Sequence, residues 1–340
     1  MVAKIATKII AVFGFVLAAT NAAADHPTVA FGSEAAGAIN TIPAEPMPQG
    51  KWGLGIRTEI IDNKSFSNKQ LEGVAAQGLK GVHSVDKVTN TSIAIAYGVS
   101  DDLTVIARLP YIERTNIREG ELEDGVPEAH VHGDSSGVGD LLLLGQYRFF
   151  QNDSTGASIL FGLKAPTGET GVKDKGGVRL FETEFQPGTG SWDILVGAAI
   201  SKKIGKVGFH ANILYNNTTE GSRSTELGDA LSYNVALSYR LNREDHTHHD
   251  HTHHHGDESG GLNWDLLLEL NGETRRKDKK SGVFEANSGG TTVYLSPGIK
   301  VSSRKGLGGF LSIGIPVRDQ KNGKQTEPDT RIVAGISFAL

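Results

Sequence analysis

After residue 50, apolar and polar side chains alternate with period two in about a dozen stretches, as a strand with two unlike faces must. At Leu231, Tyr233, Val235, Leu237, Tyr239 and Leu241 one face is wholly apolar, and Ser232, Asn234, Ala236, Ser238 and Arg240 between them are small or polar. Val207, Phe209, Ala211, Ile213 and Tyr215 repeat the pattern against Gly208, His210, Asn212, Leu214 and Asn216. The alternation predicts strands over 51–61, 91–99, 103–112, 140–150, 157–165, 192–202, 207–216, 230–241, 263–272, 291–302, 309–318 and 331–340. Helical spacing is almost absent beyond residue 24.

A soluble sandwich alternates too, so three further features decide. Most of these strands run near the ~9–11 residues that a tilted strand needs to cross a bilayer. The connections alternate in length: 100–102, 151–156, 203–206 and 304–308 are short, whereas 62–90, 113–139, 166–191, 217–229, 273–290 and 319–330 are long. That is the short periplasmic turn and long extracellular loop of an outer-membrane barrel. Aromatic residues on the apolar faces fall near strand ends: Trp52, Tyr97, Tyr147, Phe149, Tyr239, Trp264 and Phe338 at the short-turn end, Tyr111, Trp192, Tyr215 and Tyr233 at the other. Two girdles are expected at the two interfaces of a membrane. Leu340, Phe338, Ile336, Ala334 and Ile332 carry the lipid face to the last residue. The expected fold is all-β, a transmembrane antiparallel up-and-down β-barrel of about 12 strands spanning residues 51–340.

Composition agrees with a chain that needs only one greasy face. Hydrophobic residues are 38% and glycines number 43, and after residue 24 the longest aliphatic run is Leu141 to Leu144, so no helix is long and apolar enough to span a bilayer. A net charge of -5 shows no general basic surface, so nucleic acid is not an expected partner. Residues 1–24 read as a signal peptide, with Lys4 and Lys8, an apolar stretch from Ile9 to Ala19, and Ala22-Ala23-Ala24 before Asp25. The chain has no cysteine, which excludes disulfides, thiolate metal sites and a cysteine nucleophile. Residues 25–50, with Pro27, Pro43, Pro46 and Pro48 and no periodicity, form an arm that either plugs the lumen from the periplasmic side or tethers loosely.

Alternation assigns Arg57, Glu59, Arg108, Asp140, Arg148, Lys164, His210, Arg240, Asp265, Glu269 and Lys300 to the barrel interior, with Gln146, Asp193, Asn212, Asn216, Asn234 and Arg331. Either these mixed charges pair and fill the barrel, or they line a polar path that sets solute preference. A twelve-stranded barrel lies between eight-stranded barrels filled by side chains and sixteen-stranded ones with an aqueous channel.

The sharpest local signal is the turn 242–261, which holds His246, His248, His249, His251, His253, His254 and His255. Neutral imidazoles bind Zn²⁺, Cu²⁺ or Ni²⁺, and Asp245, Asp250 and Asp257 add oxygen donors. By strand parity the tract joins strands eight and nine at the periplasmic end, a position suited to buffering, sensing or hand-over. No other chemistry stands out. The segment 165–173 lacks a phosphate-loop motif and sits in a hairpin. Ser136 near His130 or His132 reads as an accidental neighbourhood. No catalytic residue and no required cofactor are expected.

Gly137-Val138-Gly139-Asp140-Leu141, Leu163-Lys164-Ala165-Pro166-Thr167-Gly168 and Gln186-Pro187-Gly188-Thr189-Gly190-Ser191 resemble, in order and spacing, the outer-membrane family named for the meta pathway of phenol degradation. Tyr97-Gly98-Val99-Ser100-Asp101-Asp102-Leu103, Leu109-Pro110-Tyr111 and Gly228-Asp229 are similar as well. The resemblance covers most of residues 50–340 and implies an outer-membrane β-barrel transporter, often for small hydrophobic or aromatic compounds. The histidine tract departs from the family pattern. The expected function is passive passage of a small solute across the outer membrane, whose lipids are the surrounding partner. The alternative is a metal-binding barrel that anchors the tract.

Overall fold

Each alternating stretch becomes one strand of a closed sheet. The structure, a computed structural model, describes residues 38–241, 261–303 and 306–340. Twelve barrel strands follow in chain order: β1 (Trp52–Lys64), β2 (Lys87–Ser100), β3 (Leu103–Glu123), β4 (Leu141–Gln151), β5 (Thr155–Ala165), β6 (Asp193–Ile204), β7 (Val207–Asn217), β8 (Ala230–Arg240), β9 (Leu262–Arg275), β10 (Gly290–Ser303), β11 (Leu307–Lys321) and β12 (Glu327–Ala339). Every strand pairs antiparallel with its sequence neighbours. β12 returns to β1, from Gly53 opposite Ala339 to Lys64 opposite Glu327, and closes the cylinder. Closure leaves no edge, so the backbone N–H and C=O groups facing hydrocarbon pair within the wall.

The pleat sorts the side chains as the alternation predicts. Leu231, Leu237 and Tyr239 of β8 point outward and are exposed, while Asn234, Ala236 and Ser238 are buried. Trp52 and Tyr97 stack across β1 and β2 at the short-turn rim, ring centroids 4.5 Å apart. The inner surface is less uniformly polar than alternation suggests. Ile106, Leu144, Leu160, Leu195 and Leu214 face inward on β3 to β7 and form one apolar cluster with Ile42 and Ala44 of the arm.

The long loops carry structure that period two does not reveal. β3 extends to 21 residues and folds back as a strand, Val126–Val138, within the stretch expected to be a loop over 113–139. Its tip is Asp124-Gly125, both at positive φ (50° and 81°), the backbone of a two-residue hairpin turn. Both faces of this ribbon meet water and other loops, so its sequence has no greasy stripe to betray it. Within 62–90 a short helix, α1 (Asn68–Ala76), starts at a capping box. Ser67 Oγ accepts from the Gln70 N–H, and Gln70 Oε1 accepts from the Ser67 N–H at 2.8 Å. Short strands at Thr225–Glu226, Lys279–Lys280 and Val283–Phe284 form a separate three-stranded sheet.

Candidate functional site

Residues 38–48 lie inside the barrel, entering beside the β2–β3 turn, where Gly50 donates to the Gly98 carbonyl at 2.8 Å and Gln49 to Asp101 Oδ1 at 3.0 Å. This arm pairs with no strand. Its backbone is satisfied instead by side chains projecting from the wall. Glu269 on β9 accepts the N–H groups of Ile39 and Asn40, each at 2.9 Å, and Asn40 Nδ2 at 2.6 Å. Arg57 on β1 donates to the Ile39 carbonyl at 2.9 Å and to Asn40 Oδ1 at 2.7 Å. Further along, Ile42 N–H reaches Asn212 Oδ1 (2.9 Å), Ala44 N–H reaches Ser201 Oγ (2.8 Å), Gln146 Nε2 donates to the Pro43 carbonyl (2.7 Å), and Met47 N–H reaches Thr104 Oγ1 (2.7 Å). Buried peptide groups need such partners, and here the polar lumen supplies them.

Other interior charges pair with one another. Lys164 on β5 lies 2.7 Å from Asp193 and 3.4 Å from Asp140. Arg240 on β8 bonds Asp265 on β9 at 2.5 Å. Arg331 on β12 bonds Glu59 on β1 and covers the Tyr294 ring at 5.2 Å. His210 Nδ1 meets Ser201 Oγ at 2.8 Å. Arg108 and Lys300 are buried in the same interior. Arg148, opposite buried Ser158 on the inward side of β4, bonds Asp102 at 2.8 Å at the short-turn rim.

Two cavities flank the arm. The inner one, about 490 Å³, lies between Pro46-Met47-Pro48 and strands β10 to β12, with Lys300 and Ser302 on its wall. The outer one, about 130 Å³, has an apolar flank of Leu142, Leu195, Leu214 and Leu227 facing Arg108, Arg114, Lys164 and Arg275. It suits a small amphipathic molecule with an apolar body and an anionic end.

The outer cavity is roofed by loops, and the roof explains the glycine-rich motifs. Asp140 holds two points of the 166–191 loop, accepting the Gly168 N–H (2.9 Å), the Thr189 N–H (2.9 Å) and the Thr189 hydroxyl (2.7 Å). Gly168 and Gly188 touch backbone to backbone: a Cβ on Gly168 would lie 2.6 Å from Gly188 Cα, and one on Gly188 2.5 Å from the Gly168 carbonyl carbon. Only glycine fits there. Gln186 clips the same roof through both carbonyls of Val172 and Phe181, at 2.9 Å each. Burial, reinforced by the Glu182 charge, pushes the neighbouring Glu184 carboxyl up to about 8.

The arm residues Ile39, Asn40 and Ile42 were not singled out by sequence, because an extended segment without alternation has no face to read. Glu269 and Arg57 were placed inside by parity, but what they hold there was not legible. The tract from His246 to His255 and the segment 1–37 lie outside the described residues. The strand ends that the tract connects, Arg240 and Leu262, lie at the short-turn end, because Arg240 pairs with Asp265 at the rim of β8 and β9.

A family model described as "Putative MetA-pathway of phenol degradation" matches residues 74–322. Among solved structures, an outer membrane channel from Pseudomonas putida matches with 18% identity and a TM-score of 0.56, over 87% of this chain and 98% of that one. The β domain of the Bordetella autotransporter BrkA matches at 10% identity and a TM-score of 0.45, over 85% of this chain and 99% of that one. The NanC porin matches at 7% identity and 0.42, over 84% and 98%. These likenesses are of fold. No curated protein matches the sequence.

Proposed function

The chain belongs to the phenol-degradation MetA-pathway family of barrels, and from that premise we propose that it is an outer-membrane channel for passive passage of a small amphipathic solute, hydrophobic or aromatic with an anionic group. One observation carries the reading. The inner half of the lumen is filled by an arm that no ladder binds to the wall, with a cavity on each side of it. A barrel meant only as an anchor has no use for a closure that can leave without breaking a strand pair. The apolar flank beside Arg108, Arg114 and Arg275 supports the solute chemistry, since buried cations favour an anionic partner and leucines its apolar body.

The test is planar-bilayer conductance and liposome flux of the refolded chain lacking its signal segment. Discrete steps, with benzoate-class anions entering faster than sugars or alkylammonium ions of equal size, are expected. Flux that ranks solutes by size alone would refute the solute class, and no steps even after removal of residues 25–48 would refute the channel. We also propose that the seven histidines between β8 and β9 bind a divalent transition metal on the periplasmic side. What supports this is their density and the short-turn position of the strand ends they join. Replacing all seven with asparagine should abolish retention on immobilised nickel, and unchanged retention would overturn it.

A further inference from the structure

Outside the lumen, the extracellular ribbon brings together two histidines and a glutamate distant in sequence. We propose that His83, Glu119 and His132 form a binding site for a zinc-class divalent cation on the outer face of the protein. The two imidazole Nε2 atoms approach one carboxylate oxygen: His83 lies 3.4 Å and His132 3.3 Å from Glu119 Oε2, and the three donor atoms all fall within 4.8 Å of one another. Zinc takes nitrogen and carboxylate ligands at ~2.0–2.1 Å in a tetrahedron. The edge of such a tetrahedron is about 1.6 bond lengths, or about 3.3–3.4 Å, so both nitrogen-to-carboxylate spacings already match a loaded site, and the two nitrogens lie within 4.8 Å of each other.

The backbone explains how three separate segments reach this spacing. His83, on a two-residue strand, sits directly across from Glu119 in the outer extension of β3. On the other side of β3, Arg118 is paired with Val131 and Ile117 with Gly133, so the register skips His132. A bulge of this kind re-aims one side chain, and here it turns His132 toward Glu119. The following Gly133 stands at φ 95°, and a Cβ there would meet the Lys175 Cβ at 3.0 Å; the bulge therefore requires glycine next to the ligand. The rings are held from behind. His83 packs edge-on against Phe185, with centroids 4.8 Å apart, and His132 lies 6.3 Å from Phe181. The side chains of His83, His132 and Glu119 are only 12%, 15% and 20% exposed, so little freedom remains to be lost on binding. A further oxygen stands nearby: Glu182 Oε2 is 3.4 Å from His83 Nε2, while its other oxygen is held by Lys280 at 2.6 Å.

Two imidazoles with one carboxylate suit zinc, and cobalt serves as its spectroscopic stand-in. A pair of ordinary charge-assisted hydrogen bonds also explains the contacts, and the experiment separates the two. It uses the refolded chain with the seven histidines of 246–255 changed to asparagine, which removes the competing tract. One equivalent of Zn²⁺ should bind in calorimetry, and one of Co²⁺ should give the intense visible bands of a four- or five-coordinate ion. His83→Asn and His132→Asn should each weaken binding at least about tenfold, because even outer-shell partners of metal ligands cost 10–100-fold. Glu128→Gln, on the same ribbon opposite Glu121, should leave it unchanged. Retained heat-modifiable migration of each variant confirms that its barrel has formed. No binding at millimolar metal in the parent, or equal binding after His83 and His132 are both replaced, would overturn the site. This result is independent of channel activity, since it needs no current and no solute.

Discussion

The two ends of the barrel are closed by different means. At the short-turn end, one extended segment enters the lumen and gives its peptide groups to wall side chains such as Glu269, Arg57 and Asn212. At the other end, the closure is continuous with the wall. β3 runs on into the ribbon, Asp140 ties two points of the 166–191 loop, and Gly168 packs on Gly188. The inner arm is joined to the wall by one covalent link near residue 50 and otherwise by side-chain hydrogen bonds. The roof cannot move without bending several strand ends. The proposed plug and the roof are thus built from the same polar groups, and what separates them is whether the backbone is paired in a ladder.

The most severe way to break the comparison is to delete residues 25–48. Single-channel conductance should rise several-fold, and equal conductance would mean that current already passes beside the arm. Smaller and of another kind is a charge on the lipid face. Leu268→Arg on β9 should lower barrel stability by about 2–4 kcal/mol in folding titrations, with unitary conductance unchanged in the molecules that fold. A conductance change there would show that wall and lumen are not separable. Next, Glu269→Ala strips the acceptor from the N–H groups of Ile39 and Asn40, and each unsatisfied group costs about 1–3 kcal/mol. Frequent brief openings and faster proteolysis at the arm should follow, with Glu269→Gln intermediate; silent recordings would place the anchoring elsewhere. The smallest effect is expected from Gly168→Ala at the roof. A clash near 2.6 Å should be absorbed by loop shifts costing about 1–3 kcal/mol, seen as increased current noise while the arm remains protease-resistant.

The sequence exposed the wall far better than either closure. All twelve strands were legible because a lipid face must be apolar at every second position, and β8 shows it without interruption. Interior placement of Arg57, Glu59, Lys164, Asp265 and Glu269 followed from the same parity. The ribbon at 126–138 and α1 escaped because they face water and loops. Yet local signals were present: Asp124-Gly125 for the hairpin, and Ser67 with Gln70 for the helix cap. His83, Glu119 and His132 were hidden for another reason. Density of histidine drew attention to 246–255, while these three meet only through strand pairing and a bulge. Parity puts Arg148 on the inward side, opposite buried Ser158, where at the strand end it bonds Asp102.

The arm has a consequence for the order of assembly. Its contact with Glu269 spans 230 residues of chain, that with Asn212 170 and that with Ser201 157. Contacts so remote in sequence are slow to form, because ring closure over long chains must be completed first. They also need acceptors from β6, β7 and β9 already facing one another across a finished cylinder. The seam between β1 and β12 must therefore close before the arm has a socket to enter, and in the proposed channel a newly inserted barrel is expected to stand open until the arm docks. The rate at which the segment finds its socket is then expected to set how long a new barrel conducts.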